Sequence, residues 1–175
     1  ALQQDYAAFK ADTAAYEKRD QQRREFRPLA HDILSSLVQK DHVTNEDLTT
    51  LIHLFRPDPP HGLAEKYLST LIPFPTHRTA YIERLKALRV GGYTAPGRRK
   101  IHSLSDEQLR EVHELLTQAF KVKDAEGAGA LCAAYDAKRV PFVTAGVYSP
   151  WLHYIQPTLF PILNGPSLAF WKKQG

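Results

Sequence analysis

Eight histidines are spread along the chain, and they are the first residues to examine for a metal site. Helices that bind zinc often place two histidines three or four residues apart, and no histidine pair in this sequence has either spacing. The single cysteine, Cys132, lies in an alanine-rich run, where we expect an inert thiol, and one cysteine cannot build a cysteine-rich zinc site. The sequence therefore predicts neither a metal nor another cofactor.

The sequence also lacks the common catalytic motifs. There is no Gly-x-Ser-x-Gly nucleophile motif, and the paired glycines at 91–92 lack the lysine of a phosphate-binding loop. Asp106 and Glu107 are adjacent carboxylates, but they follow Ser105 in the pattern of a helix start and are poor acid–base candidates. We expect a domain without catalytic activity and keep a base-excision enzyme as an alternative.

Arg98, Arg99 and Lys100 form the best candidate for anion binding. These three adjacent cations follow Pro96 and Gly97 in a loop, so they could bracket a phosphate backbone. An ordinary solvent-exposed loop explains them equally well. A net charge of +4 and a pI near 9.2 permit contact with nucleic acid without requiring it.

The spacing of apolar residues predicts an all-α fold, a compact bundle of about eight or nine short helices. A long first helix is expected over residues 2–25, and Pro28 is expected to open a second one. Capping boxes that begin at Thr44 and Ser105 predict two further helix starts. We expect residues 1–175 to form one helical domain, cut from a longer protein.

The chain shows no sign of a membrane or secretory protein. Its apolar runs fall short of the roughly 18 residues of a membrane span, and no signal-peptide pattern opens it. One cysteine cannot form an internal disulfide, which favours a reducing compartment. The expected location is the cytoplasm, without membrane contact.

Residues 140–171 are the densest apolar and aromatic stretch, and several prolines interrupt them. Pro161 favours an extended Phe160, and Asn164 stands where a last helix would start. Helical spacing places four apolar residues of this stretch on one stripe that should face a core: Val147, Trp151, Tyr154 and Ile155.

The order of motifs in this stretch resembles a segment of the helical N-terminal recognition domains of McrB-type modification-dependent restriction GTPases. In both, a leucine–histidine helix (here Leu152-His153), a proline (Pro157) and a Phe-Pro-Ile turn (residues 160–162) precede a last helix. The layout is also similar to that of helix-hairpin-helix DNA glycosylases, in which a Pro-Gly-x-Gly hairpin leads through a helix to a catalytic aspartate. The resemblance implies a helical cleft that faces DNA and an attached or associated NTPase.

The same comparison places non-matching residues at the catalytic positions. Val140-Pro141 could mark the hairpin, but Phe142 and Thr144 replace its glycines, Tyr148 falls near the glycosylase lysine, and Asn164 stands at the aspartate. An amide cannot act as a general base. The resemblance therefore implies a scaffold that binds DNA without glycosylase chemistry.

The leading hypothesis is a non-catalytic DNA-binding domain of a restriction or defence protein, with modified DNA as one implied target. Arg98, Arg99 and Lys100 would hold phosphate, and a groove beside Tyr148 and Asn164 would meet a base or sugar. A helix cap explains Asn164 at least as well, whereas Tyr148, at the edge of a helix start, is the most plausible aromatic residue for a nucleotide pocket. The alternative is a protein-interaction or assembly module that binds no nucleic acid, which the long first helix favours.

Overall fold

The computed structural model describes residues 13–54 and 103–163, and within these ranges every regular element is a helix. The predicted all-α class is confirmed for this part of the chain. The number of eight or nine helices, the glycosylase-like layout and the single domain over 1–175 depend on residues outside the described ranges and stay predictions. The described helices are α1 (Thr13–Val38), α2 (Asn45–Leu54), α3 (Asp106–Ala119), α4 (Ala125–Ala137) and α5 (Ala145–Ile155).

Helix α1 differs from the sequence prediction because it continues through Pro28. Proline lacks the N–H of the helical ladder and its ring crowds the carbonyl four residues earlier, which costs about 3 kcal/mol in a helix interior. Ile33, Leu34 and Leu37 lie further along the same helix and are fully buried. Burial of each such side chain contributes about 1.5–3 kcal/mol, so packing of this face outweighs the penalty of one proline.

Helix α2 begins at the predicted capping box. The Asp47 N–H donates to Thr44 Oγ1 at 3.2 Å, while the Asp47 carboxylate accepts the Thr44 N–H at 3.0 Å and the Thr44 hydroxyl at 2.9 Å. Lys40 Nζ lies 2.6 Å from the other oxygen of that carboxylate. Asp47 is only 1% exposed, so these donors replace the water that a buried carboxylate needs.

The predicted capping box of α3 is also confirmed. The backbone N–H of Gln108 donates to Ser105 Oγ at 3.3 Å, and the backbone N–H of Ser105 donates to Gln108 Oε1 at 2.9 Å. The segment before it is fixed by Asn45, whose amide donates to the Leu104 carbonyl at 3.0 Å and accepts the Leu104 N–H at 3.1 Å. These two bonds hold the start of α2 against the entry to α3. Phe120, directly after α3, is half-buried and packs against the core.

The core forms where α1 packs against α3 and α5, and α3 also contacts α4. The predicted apolar stripe of α5 is confirmed as buried, with Trp151 only 2% exposed. Pro150, expected to interrupt this stretch, lies inside α5 and is buried. Tight packing on both sides again permits a proline inside a helix.

The chain after α5 runs back along that helix in the non-helical conformation predicted around Pro161. Ser149 Oγ accepts the Leu163 N–H at 2.8 Å, and His153 Nδ1 lies 2.9 Å from the Phe160 carbonyl oxygen. Gln156 Nε2 donates to the carbonyls of Ala119 and Val122 at 2.7 and 2.8 Å. These hydrogen bonds provide a donor for carbonyl groups at and just after the C-terminal end of α3. The predicted last helix lies outside the described residues.

Candidate nucleic-acid-binding turn

The connection between α4 and α5 has an unusual backbone conformation. Arg139 and Phe142 have φ angles of 53° and 66°, in the left-handed region that favours glycine. Phe142 directly follows Pro141, at the position where the hairpin of the resembled proteins carries a glycine. The turn therefore has a glycine-like conformation at this position although the residue is phenylalanine.

The first amides of α5 point out of the helix without an internal acceptor. Thr144 precedes the helix in an extended conformation, and its side chain forms no capping hydrogen bond. The N–H groups of Val147 and Tyr148 donate to the Thr144 carbonyl, which leaves the Ala145 and Gly146 N–H groups without a hydrogen bond among the described residues. Such amides, at the positive end of a helix dipole, can bind a phosphate oxygen. We call residues 138–146 the anchor turn.

Two exposed cations, Lys138 and Arg139, belong to the anchor turn. Lys138 Nζ lies 3.2 Å from Glu111 Oε1 on α3, an exposed ion pair of little net energy. Arg139 forms no ion pair or hydrogen bond through its side chain within the described part of the chain. Among the described residues, the anchor turn thus combines two amides without a hydrogen bond and one guanidinium without a partner.

Two tyrosines, one on α4 and one on α5, connect the anchor turn to the helices on either side of it. Tyr148 donates its hydroxyl to Asp136 Oδ1 at 3.1 Å, and its ring meets the ring of Tyr135 edge-on, with centroids 5.2 Å apart. Tyr135 donates in turn to the Val143 carbonyl at 3.2 Å. These contacts join α4, the turn and α5 into one unit.

Burial sets the protonation of this cluster. It raises the pKa of Tyr135 and, helped by the neighbouring Cys132 and Asp136, the pKa of Tyr148. Burial also raises the pKa of Cys132, although its hydrogen bond with Tyr148 opposes the shift. A thiol that stays protonated is a weak nucleophile, consistent with the inert cysteine predicted from the sequence.

The site residues predicted from the sequence fall into two groups. Arg98, Arg99, Lys100 and Asn164 lie outside the described residues, so their roles stay predictions. Tyr148 is described and is only 1% exposed. It could contact a ligand only if the residues that bury it moved, so its contact with a nucleotide also stays a prediction.

Sequence reasoning missed the cations of the anchor turn. Lys138 and Arg139 directly precede Val140-Pro141, the residues that marked the hairpin, so their position next to that motif was the available signal. In residues 13–54 and 103–163 no three His, Cys, Asp or Glu side chains are grouped so that they could hold a metal ion. Within the same ranges no helix is long and apolar enough to cross a membrane.

Comparison of the chain with protein-family models, curated proteins and solved structures found no match. The resemblance to restriction and glycosylase domains therefore rests on the order of motifs alone. What the protein does must be argued from the chemistry of the site.

Proposed function

We propose that this domain binds the phosphate backbone of DNA without catalysing a reaction, and that the anchor turn is its main contact. The observation that carries the proposal is the left-handed Phe142 directly after Pro141. In this conformation the turn leads into α5, where the Ala145 and Gly146 amides have no hydrogen bond to any described residue. Open amides at a helix start contact phosphate without reading the base sequence.

The side chains of the anchor turn add the charge that such binding needs. Arg139 is exposed and has no partner among the described residues. Lys138 forms an exposed ion pair with Glu111, which it could exchange for a phosphate at little cost. Cations near phosphate release bound counterions, which supplies much of the affinity of proteins for DNA. The loop of Arg98, Arg99 and Lys100 is proposed as a second phosphate contact, and the groove beside Tyr148 and Asn164 as the place of a base or sugar.

The biological setting is proposed from the resemblance alone. A restriction or defence protein of the cytoplasm, with modified DNA as target and an attached or associated NTPase, fits a domain that binds DNA and does no chemistry itself. The modification recognised would be set by residues beyond the anchor turn, because backbone amides and Arg139 carry no base information.

The test is fluorescence anisotropy with a labelled duplex and a labelled single strand, repeated between about 50 and 200 mM salt. Arg139→Gln is expected to weaken binding and to reduce the slope of log affinity against log salt by about 0.9, the value for one lost phosphate contact on duplex DNA. Replacing Arg98, Arg99 and Lys100 with alanine is expected to reduce it further. Lys123→Gln is the matched control, because Lys123 is an exposed cation before the opposite end of α4.

Two results would contradict the proposal. One is a wild-type protein that shows no salt-sensitive binding to either DNA. The other is an equal loss of affinity in Lys123→Gln and Arg139→Gln. That result would mean that Arg139 contributes only to the overall positive charge and that the anchor turn is not a specific contact.

A second candidate function, protein–protein assembly, is favoured by the outer face of α4. Gly129, Ala130, Ala133, Ala134 and Ala137 are exposed there and are all small and uncharged. Such a face permits close approach of another helix. Light scattering separates the two functions: the DNA-binding proposal expects a monomer that Ala133→Glu leaves unchanged, whereas an assembly module would self-associate and lose this property in that variant.

A further inference from the structure

A cleft separate from the anchor turn lies between the α1–α2 connection and the first half of α3. Its volume is about 520 Å³, within the range of sites that hold small organic molecules. Val43 and Leu109 line it and are 4% and 6% exposed, so they form an apolar floor. The cleft is large enough for a ligand with an apolar body.

The walls of the cleft are held in place before any ligand arrives. On one side the Asn45 amide is joined to the Leu104 main chain by two hydrogen bonds. On the other, Thr44 is fixed by the buried Asp47, which Lys40 also contacts. A preformed site avoids part of the ordering cost of binding.

The rim of the cleft carries charges of both signs that have no partner among the described residues. Asp41, Asp106 and Arg110 all line the cleft, and all are exposed. Asp106 and Arg110 stand one turn apart on α3, yet they do not form an ion pair with each other. The rim therefore presents two carboxylates and one guanidinium that a ligand can engage.

His113 adds a polar group on the α3 side of the cleft. Its Nε2 lies 3.3 Å from the Val38 carbonyl oxygen, so Nε2 carries the proton that this hydrogen bond needs. In the neutral ring Nδ1 is then an acceptor.

We propose that this cleft binds a small zwitterion of the amino-acid or dipeptide type. The ligand carboxylate pairs with Arg110, its ammonium group pairs with Asp41 or Asp106, and its side chain lies on Val43 and Leu109. Two carboxylates against one guanidinium disfavour a polyanion such as the DNA backbone. The site is independent of the proposed DNA contact, and failure of either proposal leaves the other intact.

The test uses the full chain without DNA and the free L-amino acids, together with L-leucyl-L-leucine, as probes. Amide shifts in the ¹⁵N spectrum are expected at Leu109 and His113 with at least one probe at about 1 mM, a concentration that detects even weak complexes. Arg110→Gln is expected to weaken that complex at least tenfold, and so is the double variant Asp41→Asn/Asp106→Asn, which removes both candidate partners of the ammonium group. Glu107→Gln is the matched control, because Glu107 is exposed in the same turn of α3 and does not line the cleft.

The charge requirement is tested with N-acetyl and carboxamide forms of the bound probe. Each lacks one charge and is expected to bind at least tenfold more weakly. The proposal is overturned if no probe shifts the cleft amides, or if the acetylated and amidated forms bind as well as the zwitterion. It is also overturned if the shifted amides belong to the anchor turn and not to the cleft.

Discussion

Tyr148 connects the two helices of the candidate site through a single hydroxyl. The group donates to Asp136 while the ring packs against Tyr135, so the phenol must keep its proton in the folded protein. Burial raises its pKa above the ordinary value near 10, and the unfolded chain has no such shift. The stabilisation is therefore fully present below about pH 10 and is lost as the pH rises further, because only the unfolded state then releases the proton.

This linkage gives a prediction for alkaline solution. Above about pH 10 the free energy of unfolding is expected to fall by about 1.4 kcal/mol per pH unit for each tyrosine that stays protonated in the fold. Tyr148→Phe removes one such group, so urea unfolding curves of this variant should show a shallower decline than the wild type. Equal slopes would mean that Tyr148 ionises as freely in the folded state as in the unfolded chain.

At the residue scale, local hydrogen-bond patterns could be predicted from the sequence and distant contacts could not. Thr44 with Asp47 and Ser105 with Gln108 satisfy helix-start amides within three residues, so their spacing alone identifies them. The burial of Tyr148 depends on partners on another helix, and the aromatic stretch around it gave no sign of Asp136. The cleft beside Arg110 joins residues more than 60 positions apart, and no local pattern indicates it.

At the element scale, proline was the least reliable signal. Pro28 was expected to open a second helix and Pro150 to interrupt the apolar stretch, and both lie inside helices. Propensity describes the isolated helix, whereas Ile33 and Trp151 are held by the whole core. The start of α4 follows a local signal instead, since Asp124 caps the alanine-rich run that contains Cys132.

The two glycines of α4 provide a matched pair for measuring helix stability. A Cβ at Gly129 would meet no described residue within 4 Å, whereas one at Gly127 would lie 3.2 Å from Asp124 Oδ1, the oxygen that caps the helix. Gly129→Ala is therefore expected to raise the free energy of unfolding by up to about 1 kcal/mol, and Gly127→Ala to raise it less or lower it. Urea unfolding measures both variants. A loss of stability in Gly129→Ala would show that another surface packs against this face, as the assembly function requires.

At the scale of the whole molecule, the helical class was predictable and the position of the site was not. Helical periodicity alone predicted the class, which holds for every described element. The proposed site is the α4–α5 connection, which the contacts among Tyr135, Val143 and Tyr148 hold in place, a tertiary arrangement that spacing does not reveal. The mild net charge of +4 gave no location for a DNA contact, whereas the Ala145 and Gly146 amides, which have no hydrogen bond among the described residues, suggest the proposed one.

The central claim is that the anchor turn binds the phosphate backbone, and the backbone amides of Ala145 and Gly146 test it most directly. In a ¹⁵N spectrum of the full chain, a short duplex is added stepwise at low salt, and the same titration is repeated with Arg139→Gln. We expect the Ala145 and Gly146 signals to shift in the wild type, with a weaker response in the variant and reversal when salt is added. If duplex DNA leaves these two amides unchanged while signals elsewhere move, the anchor turn is not the contact and the account fails.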